Sequence, residues 1–209
     1  MTDASRLARL AEREVPEAGG VLARAFFDDP LFVFIEPDDE LRGGMLPWVM
    51  TKQTTYYRQV GEVYRTPGRL EGVALWRLMG QEGEEERGTP AWRDEMPDRL
   101  GEAAYERFIQ ATAPLSDLQE RDMPMPHWYL SIIGVDPPCH GRGAGSGLIA
   151  PILDRADRDR VPCYLVTHKE RNLSFYAKHG YRVLVEDEIP GGGLRYWTMK
   201  REPRNRELG

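Results

Sequence analysis

Cysteine and histidine are scarce in this chain, and their scarcity limits the chemistry that it can support. The 209 residues include two cysteines, Cys139 and Cys163, and four histidines. The cysteines do not form a CxxC pair, and the cysteines and histidines lack the spacing of metal ligands. We therefore predict that the protein has no metal site. So few cysteines also suggest a reducing compartment.

Long apolar runs and an excess of positive charge are also absent. The N-terminal stretch MTDASRLARLAER lacks the apolar core of a signal peptide, and no apolar run approaches the length of a membrane span. The formal net charge is −6, whereas nucleic-acid binding normally needs a basic face. We therefore expect a cytoplasmic protein without a nucleic-acid or membrane partner. The oligomeric state is left open.

No proline- or serine-rich linker divides the sequence, so we predict one α/β domain over residues 1–209. Residues 79–127 form a long connection, whose acidic run at residues 81–88 is predicted to be a solvated loop. Hydrophobic periodicity predicts helices at residues 15–26, 41–59, 97–111 and 172–179, with another helical turn or two at residues 115–121. It predicts strands at residues 62–65, 72–78, 128–135, 161–167, 181–187 and 194–200.

The segment Trp128–Ser146, WYLSIIGVDPPCHGRGAGS, carries the most information. Its first part, Trp128–Val135, is apolar and rich in aromatic and β-branched residues, which predicts a central strand buried on both faces. The prolines after Asp136 end that strand, and a glycine-rich loop at residues 141–145 leads into apolar residues at helical spacing. A helix start has unpaired backbone N–H groups, so this order of elements predicts a phosphate-binding site.

Spacing excludes two common phosphate-binding loops. The dinucleotide motif G-x-G-x-x-G fails because Ser146 stands where a third glycine would have to follow Gly141 and Gly143. The P-loop fails because the Gly-Lys-Ser/Thr ending is missing. The sequence therefore needs a different type of phosphate-binding loop.

Two ordered segments resemble one known family. The run V-D-P-P-C-H-G-R-G-A-G-S-G-L, residues 135–148, resembles the pyrophosphate-binding motif of the GNAT-type N-acetyltransferases, Gln/Arg-x-x-Gly-x-Gly/Ala. Gly143 and Gly145 match its two small positions, and His140 stands where the family usually has Gln or Arg. The run R-N-L-S-F-Y-A-K-H-G-Y, residues 171–181, resembles the family's Asn-x-x-Phe-Tyr-x-x-x-Gly-Phe/Tyr segment.

The resemblance implies the GNAT fold, an α/β (α+β) architecture with helices flanking a mixed, mostly antiparallel central sheet that is splayed at the cofactor site near Val135. It also implies acetyl-CoA as the acyl donor. The part from Trp128 to about Lys200 is most similar to the puromycin N-acetyltransferase-like branch, whereas the first half resembles that branch weakly. Residues 79–127 correspond to the region where family members vary most, so we expect this insertion to shape substrate choice.

The resemblance also implies which residues contact acetyl-CoA. The backbone of β-strand residues ending at Val135 is expected to pair with the pantetheine arm, and Gly134 to leave room for it. Loop N–H groups would bind the pyrophosphate, with Arg142 adding charge. Without the resemblance, Gly134 is a bulge or packing glycine, Arg142 is equally a solvated loop residue, and Asn172 is a helix N-cap. The expected cofactor-binding residues are Ile133, Gly134, Val135, His140, Gly141, Arg142, Gly143, Ala144, Gly145, Ser146 and Asn172.

Amine acetylation requires both a base and a proton donor. An alkylammonium with a pKa near ~10 is only about one part in a thousand neutral at pH 7, so some group must take its proton. Coenzyme A leaves as a thiolate, and a donor to its sulfur lowers the barrier. Tyr176 occupies the family's tyrosine position and is the expected catalytic donor. Its helical apolar stripe alone would instead suggest a core tyrosine.

The general base is left unassigned. Many relatives have a Glu in or near the central strand, where this sequence has Ser131 and no carboxylate. The remaining candidates are His168, Glu120, Asp122 and a water chain, with His127 and His140 weaker.

The sequence therefore predicts an acetyl-CoA-dependent N-acetyltransferase that acetylates a primary amine of a small molecule by direct attack in a ternary complex. The alternatives are a protein or peptide N-acetyltransferase and a non-catalytic sensor that binds acyl-CoA. A cationic substrate would suit the acidic protein, although net charge does not describe one pocket.

Overall fold

The computed structural model of the protein describes residues 8–80 and 90–204, so the acidic run at residues 81–88 lies outside the described residues. The helices are α1 (Val15–Phe26), α2 (Pro30–Ile35), α3 (Asp39–Val60), α4 (Met96–Leu100), α5 (Glu102–Asp122), α6 (Ala144–Asp159) and α7 (Leu173–Lys178). The strands are β1 (Ala8–Arg9), β2 (Glu62–Arg65), β3 (Gly72–Met79), β4 (His127–Val135), β5 (Cys163–Thr167), β6 (Arg182–Glu188) and β7 (Arg195–Arg201).

The strands form a mixed seven-stranded sheet in the order β1-β2-β3-β4-β5-β7-β6. Every neighbouring pair is antiparallel except β4 and β5, which are parallel. The ladder between β4 and β5 joins only Trp128–Leu130 to Cys163–Leu165. Beyond Leu130, β4 continues to Val135 without β5 beside it. This arrangement confirms the predicted GNAT fold, with a mostly antiparallel sheet that is splayed near Val135.

A β-bulge lies in β4 where the two strands separate. Leu75 of β3 pairs with Ile132, and the next residue, Trp76, pairs with Leu130. Ser131 is therefore an extra residue without a partner on β3. Such a bulge bends a strand and increases its twist, which suits a strand that leaves its neighbour.

The sheet separates two hydrophobic cores. On one face, α1 and α3 cover it, and Leu22 and Met50 are fully buried there. On the other face, α6 covers it, and Ile149 and Ile152 are fully buried. Because both faces of β3 and β4 are covered, these strands can be apolar on both sides, as the sequence of β4 predicts.

The insertion before β4 is more helical than the sequence predicts. Gly101, with a φ of 82°, separates α4 from α5, and α5 then runs past Pro114 to Asp122. The helix predicted at residues 97–111 is therefore divided at Gly101, and the further turns expected at residues 115–121 belong to α5 without a break. Leu115 and Leu118 continue the apolar side of α5 and pack against a third cluster formed with β7, which holds the helix together beyond the proline.

Helix α2 was missed because it spans only six residues, too few for a clear periodicity. Its start follows simple rules nevertheless. The side chain of Asp29 accepts a hydrogen bond from the Leu31 amide at 3.1 Å, and Pro30 occupies the first turn. This helix encloses the cavity described below.

Within residues 8–80 and 90–204, no helix is long and apolar enough to cross a bilayer. No group of three His, Cys, Asp or Glu side chains within the same residues could hold a metal ion. Both cysteines are free thiols, Cys163 buried and Cys139 half-buried.

Candidate active site

A cavity of about 680 Å³ opens where β4 leaves β5. Its walls come from residues 129–135 of β4, the end of β5, and helices α1, α2, α3, α5 and α7. This volume lies within the range of roughly 300–1,000 Å³ that is typical of small-molecule sites. Of the predicted site residues, the cavity brings together Tyr176, Ile133, Gly134, Val135, His140 and Asn172.

The last residues of β4 offer an open backbone edge to this cavity. Ile133, Gly134 and Val135 pair with β3 on one side, but β5 is not beside them on the other. An open edge can bind an extended chain as an added strand. His140 lies next to this edge, and its Nε2 donates a hydrogen bond to the Val135 carbonyl oxygen at 2.8 Å.

The surroundings of Gly134 favour a packing role over the one that the family resemblance implies. A Cβ at this position would lie 2.8 Å from Leu22 Cδ2 and 2.9 Å from Ala25 Cβ, both on α1. The missing side chain therefore makes room for α1 rather than for the pantetheine arm, and this corrects the reason given for the glycine.

Replacing Gly134 with Ala is expected to lower the free energy of unfolding by about 1–3 kcal/mol, because the methyl group would overpack the contact with α1. Gly44→Ala is the matched control, since a Cβ there has no neighbour within 4 Å. Urea denaturation of both variants measures the effect. A Gly134→Ala protein of unchanged stability but weakened coenzyme A binding would restore the original explanation.

The glycine-rich loop lies at the surface and does not line the cavity. Gly141 and Gly143 have φ values of 78° and 81°, which only glycine adopts readily. Gly143 is the N-cap of α6, so the N–H groups of Ala144, Gly145 and Ser146 belong to its first turn. These groups and the helix dipole favour an anion.

The side chains of this loop add further contacts. Arg142 is exposed and next to the helix start. Ser146 Oγ lies 3.0 Å from His179 Nε2 at the end of α7. A Cβ on Gly145 would lie 3.3 Å from the Phe175 ring, so this glycine allows α6 and α7 to approach.

Tyr176 is buried, with 5% of its surface exposed, and lines the cavity from α7. Its ring packs against Phe175 and Tyr181 at centroid distances of 5.2 and 5.9 Å. Burial, and to a smaller extent the charge of Asp29, raise the pKa of its phenol. The hydroxyl is therefore protonated at neutral pH and can donate a hydrogen bond into the cavity.

Asn172 lies between β5 and α7, at the N-cap position of α7. Its side chain does not cap the helix, and its Nδ2 donates a hydrogen bond to Thr167 Oγ1 at 3.4 Å instead. It lines the cavity. Asn172 is therefore at the N-cap position, but its side chain does not cap the helix.

His168 has the geometry of a general base. Its Nδ1 donates a hydrogen bond to the carbonyl oxygen of Arg195 at 3.0 Å, and a carbonyl can only accept. The proton of the neutral ring therefore lies on Nδ1, and Nε2 keeps its lone pair. Burial lowers the pKa of His168, although the Arg195 carbonyl and the charge of Asp29 oppose this effect. The ring lines the same cavity as Tyr176.

Asp29 is a site residue that the sequence did not reveal. Besides capping α2, its Oδ2 lies 3.3 Å from the Nζ of Lys169, and both side chains are largely buried. Its charge acts on both His168 and Tyr176. In the sequence, Asp28-Asp29-Pro30 marked only the end of the helix predicted at residues 15–26, and nothing in it pointed to a residue more than a hundred positions away.

The other candidate bases are less suitable. His127 is fully buried, with its Nδ1 3.1 Å from the Pro124 carbonyl oxygen, and does not line the cavity. Asp122 forms an ion pair with Arg121 at 2.6 Å and is also absent from the cavity wall. Glu120 does line the cavity but is exposed.

Another part of the cavity wall is formed by tyrosine side chains and other polar side chains. Tyr57, Tyr129 and the bulge residue Ser131 all line this wall. Burial raises the pKa of both phenols, that of Tyr129 to about 12, so both are neutral. Arg77 donates a hydrogen bond to the Tyr56 hydroxyl at 3.0 Å. The aromatic side of α3 seen in the sequence therefore contributes to the cavity as well as to the core.

Comparisons with known proteins agree with this architecture. Residues 112–203 match the family model of an acetyltransferase (GNAT) domain. The uncharacterized N-acetyltransferase C550.08 of Schizosaccharomyces pombe is 26% identical over 183 residues, which are 83% of this chain and 72% of that protein.

Two solved structures illustrate the likeness of the fold. A structure described as histone acetyltransferase HPA2 and related acetyltransferase, from Corynebacterium glutamicum, is 22% identical, with a TM-score of 0.70 over 97% of this chain and 98% of the other. Arylalkylamine N-acetyltransferase 2 from Aedes aegypti is 15% identical, with a TM-score of 0.62 over 95% and 99%. The sheet order, the splayed strands and the domain match lead to one conclusion: the chain has the GNAT fold, and its residues 112–203 match a GNAT acetyltransferase domain.

Proposed function

We propose that the protein is an acetyl-CoA-dependent N-acetyltransferase that acetylates a primary amine of a small molecule by direct attack in a ternary complex. The observation that carries this proposal is one cavity in which an open strand edge, a phenol and a neutral imidazole meet. The open strand edge can bind acetyl-CoA, which is the acyl donor. The phenol and the imidazole can perform the proton transfers that acetylation needs.

The residues present fit acetyl-CoA. The open edge of Ile133–Val135 would bind the pantetheine arm, and the N-terminus of α6 would bind the pyrophosphate beside Arg142. His140 stands where the GNAT family usually has Gln or Arg. Its hydrogen bond to the Val135 carbonyl suggests that it orients the open edge of β4. When bound, acetyl-CoA supplies an activated acetyl thioester.

His168 and Tyr176 have complementary roles in this proposal. As an amine nitrogen forms its bond to the acetyl carbon, its proton becomes acidic, and His168 Nε2 accepts it. Tyr176 donates a hydrogen bond to the sulfur that leaves with the electrons of the broken C–S bond. Asp29, held by Lys169, adds negative charge that stabilises the protonated imidazole.

A small-molecule acceptor is favoured because helices α2, α3 and α5 enclose the cavity. Similarity does not select the acceptor class, since the structural neighbours are described as acting on histones, arylalkylamines or agmatine. A protein or peptide substrate is the second candidate, and a non-catalytic acyl-CoA sensor is the third. Membership of the puromycin N-acetyltransferase-like branch and a cytoplasmic location stay predictions from the sequence.

The proposed function is tested by coenzyme A release from acetyl-CoA with a panel of small amines and of peptides with free N-termini. A direct acetyl-CoA titration accompanies the assay. We expect binding, and turnover with small amines but not with peptides. Turnover with peptides alone would overturn the acceptor class, binding without turnover would favour the sensor, and absence of binding would overturn the cofactor.

A further inference from the structure

Two consecutive residues in the cavity wall have buried N–H donors without an acceptor. Trp92 is 8% exposed, and its Nε1 has no hydrogen-bond partner among residues 8–80 and 90–204. The Nε of Arg93 is likewise buried and unpartnered within those residues. Both side chains line the cavity from the turn that precedes α4. Buried donors are normally satisfied, so a pair of exceptions at one cavity needs an explanation.

Aromatic rings hold the two side chains in place but do not accept hydrogen bonds from their N–H groups. The Trp92 ring packs edge-on against Trp48 at 5.9 Å, and the Arg93 guanidinium lies 5.7 Å from the centroid of the Phe108 ring. Neither contact provides an oxygen acceptor. No carboxylate in the described part of the chain forms an ion pair with Arg93.

The charge of the nearby wall is also positive. Arg93 is close enough to Tyr129 for its charge to lower the pKa of that phenol, against the larger effect of burial. Arg77 stands on the neighbouring strand, bonded to Tyr56. The acidic residues of the wall are Asp29, which Lys169 holds beside Tyr176, and Glu120, which is exposed. This part of the cavity therefore suits an anion better than a second ammonium group.

We propose that the acceptor amine also carries a carboxylate, which binds the guanidinium of Arg93 and the indole N–H of Trp92. This inference rests on the proposed function and narrows its substrate class. A carboxylate accepts two or more hydrogen bonds in the planar arrangement that a guanidinium offers. The phenyl and phenol rings around it favour an acceptor with an apolar body. The amine would then extend toward Tyr176 and His168, and polyamines would be poor substrates.

Matched compounds test the inference with the full-length protein and saturating acetyl-CoA. One set is L-phenylalanine, L-phenylalaninamide and 2-phenylethylamine, and another is 4-aminobutyrate, 4-aminobutyramide and butylamine. We expect kcat/KM to be about ten- to a hundredfold higher for the carboxylate than for its amide, as charged hydrogen bonds predict. The Arg93→Gln variant should reduce this ratio to near one, and Trp92→Phe, which keeps the ring, should reduce it partly.

Arg99→Gln is the control, because this arginine lies outside the cavity and its loss changes the net charge equally. It should leave the ratio unchanged. A preference for the amide or the decarboxylated amine, or an equal loss for all compounds in Arg93→Gln, would overturn the inference.

Calorimetric titration of the same compounds into the protein with coenzyme A separates the two proposals. Carboxylate-selective binding without turnover would support the anion site and overturn the proposed function. Turnover without carboxylate selectivity would support the proposed function and overturn the anion site. Absence of both binding and turnover across both sets would overturn the inference.

Discussion

Replacing Tyr176 with Phe is expected to lower kcat by roughly ten- to a thousandfold, because the variant loses the hydrogen bond to the departing sulfur. The ring and its packing against Phe175 and Tyr181 would be kept, so the fold should be unaffected. Because the loss arises in the transition state, KM for acetyl-CoA should change little. Steady-state kinetics with the best amine of the panel measures both constants.

Tyr181→Phe provides a matched control for that experiment. Tyr181 is a buried tyrosine 5.9 Å from the Tyr176 ring, and it does not line the cavity. The same loss of a hydroxyl there should leave kcat near the wild-type value. If Tyr176→Phe also kept the wild-type rate, Tyr176 would be a core residue, as its helical stripe alone suggests.

Replacing His168 with Ala is expected to lower kcat by about a hundred- to ten-thousandfold at pH 7, the usual range for a general base. The neutral imidazole is the active form, so the wild-type kcat should fall as pH drops through the pKa of His168. Burial lowers that pKa from its ordinary value of 6.5, so the midpoint of this fall should lie below pH 6.5. The pKa of His168 is also influenced by the charge of Asp29, which is paired with Lys169, and by the hydrogen bond to the Arg195 carbonyl.

The pH profile of the variant distinguishes a base from a structural histidine. Without the base, the rate should depend on the fraction of free amine and rise about tenfold per pH unit toward the pKa of the amine, near ~10. Added imidazole should restore part of the activity. A variant with the wild-type profile at a uniformly lower rate, and without rescue by imidazole, would indicate that His168 only positions the loop before α7.

The sequence predicted the elements of the second half because each has a local signal. Glycines at positive φ mark the loop before α6, β-branched residues mark β4, and the apolar spacing of α6 marks a helix that covers the sheet. The resemblance to the GNAT family added the splayed sheet and the candidate role of Tyr176.

The parts that the sequence could not reveal depend on distant residues. Asp29 and His168 line the same cavity, and neither position carries a local sign of the other. The unsatisfied donors of Trp92 and Arg93 are visible only once the cavity wall is known. The packing role of Gly134 likewise needed the position of α1, since a strand glycine has the same appearance in either role.

The extra residue at Ser131 shifts the alternation of side chains along β4 by one position. Before it, even-numbered residues such as Leu130 point toward the core of α6, and after it, even-numbered residues such as Ile132 point toward the core of α1 and α3. If Ser131 were paired with β3 instead of bulged out, every residue after it would exchange faces. Gly134 would then turn away from α1, and Val135 would turn toward it. The bulge thus decides which core each residue at the end of the strand joins.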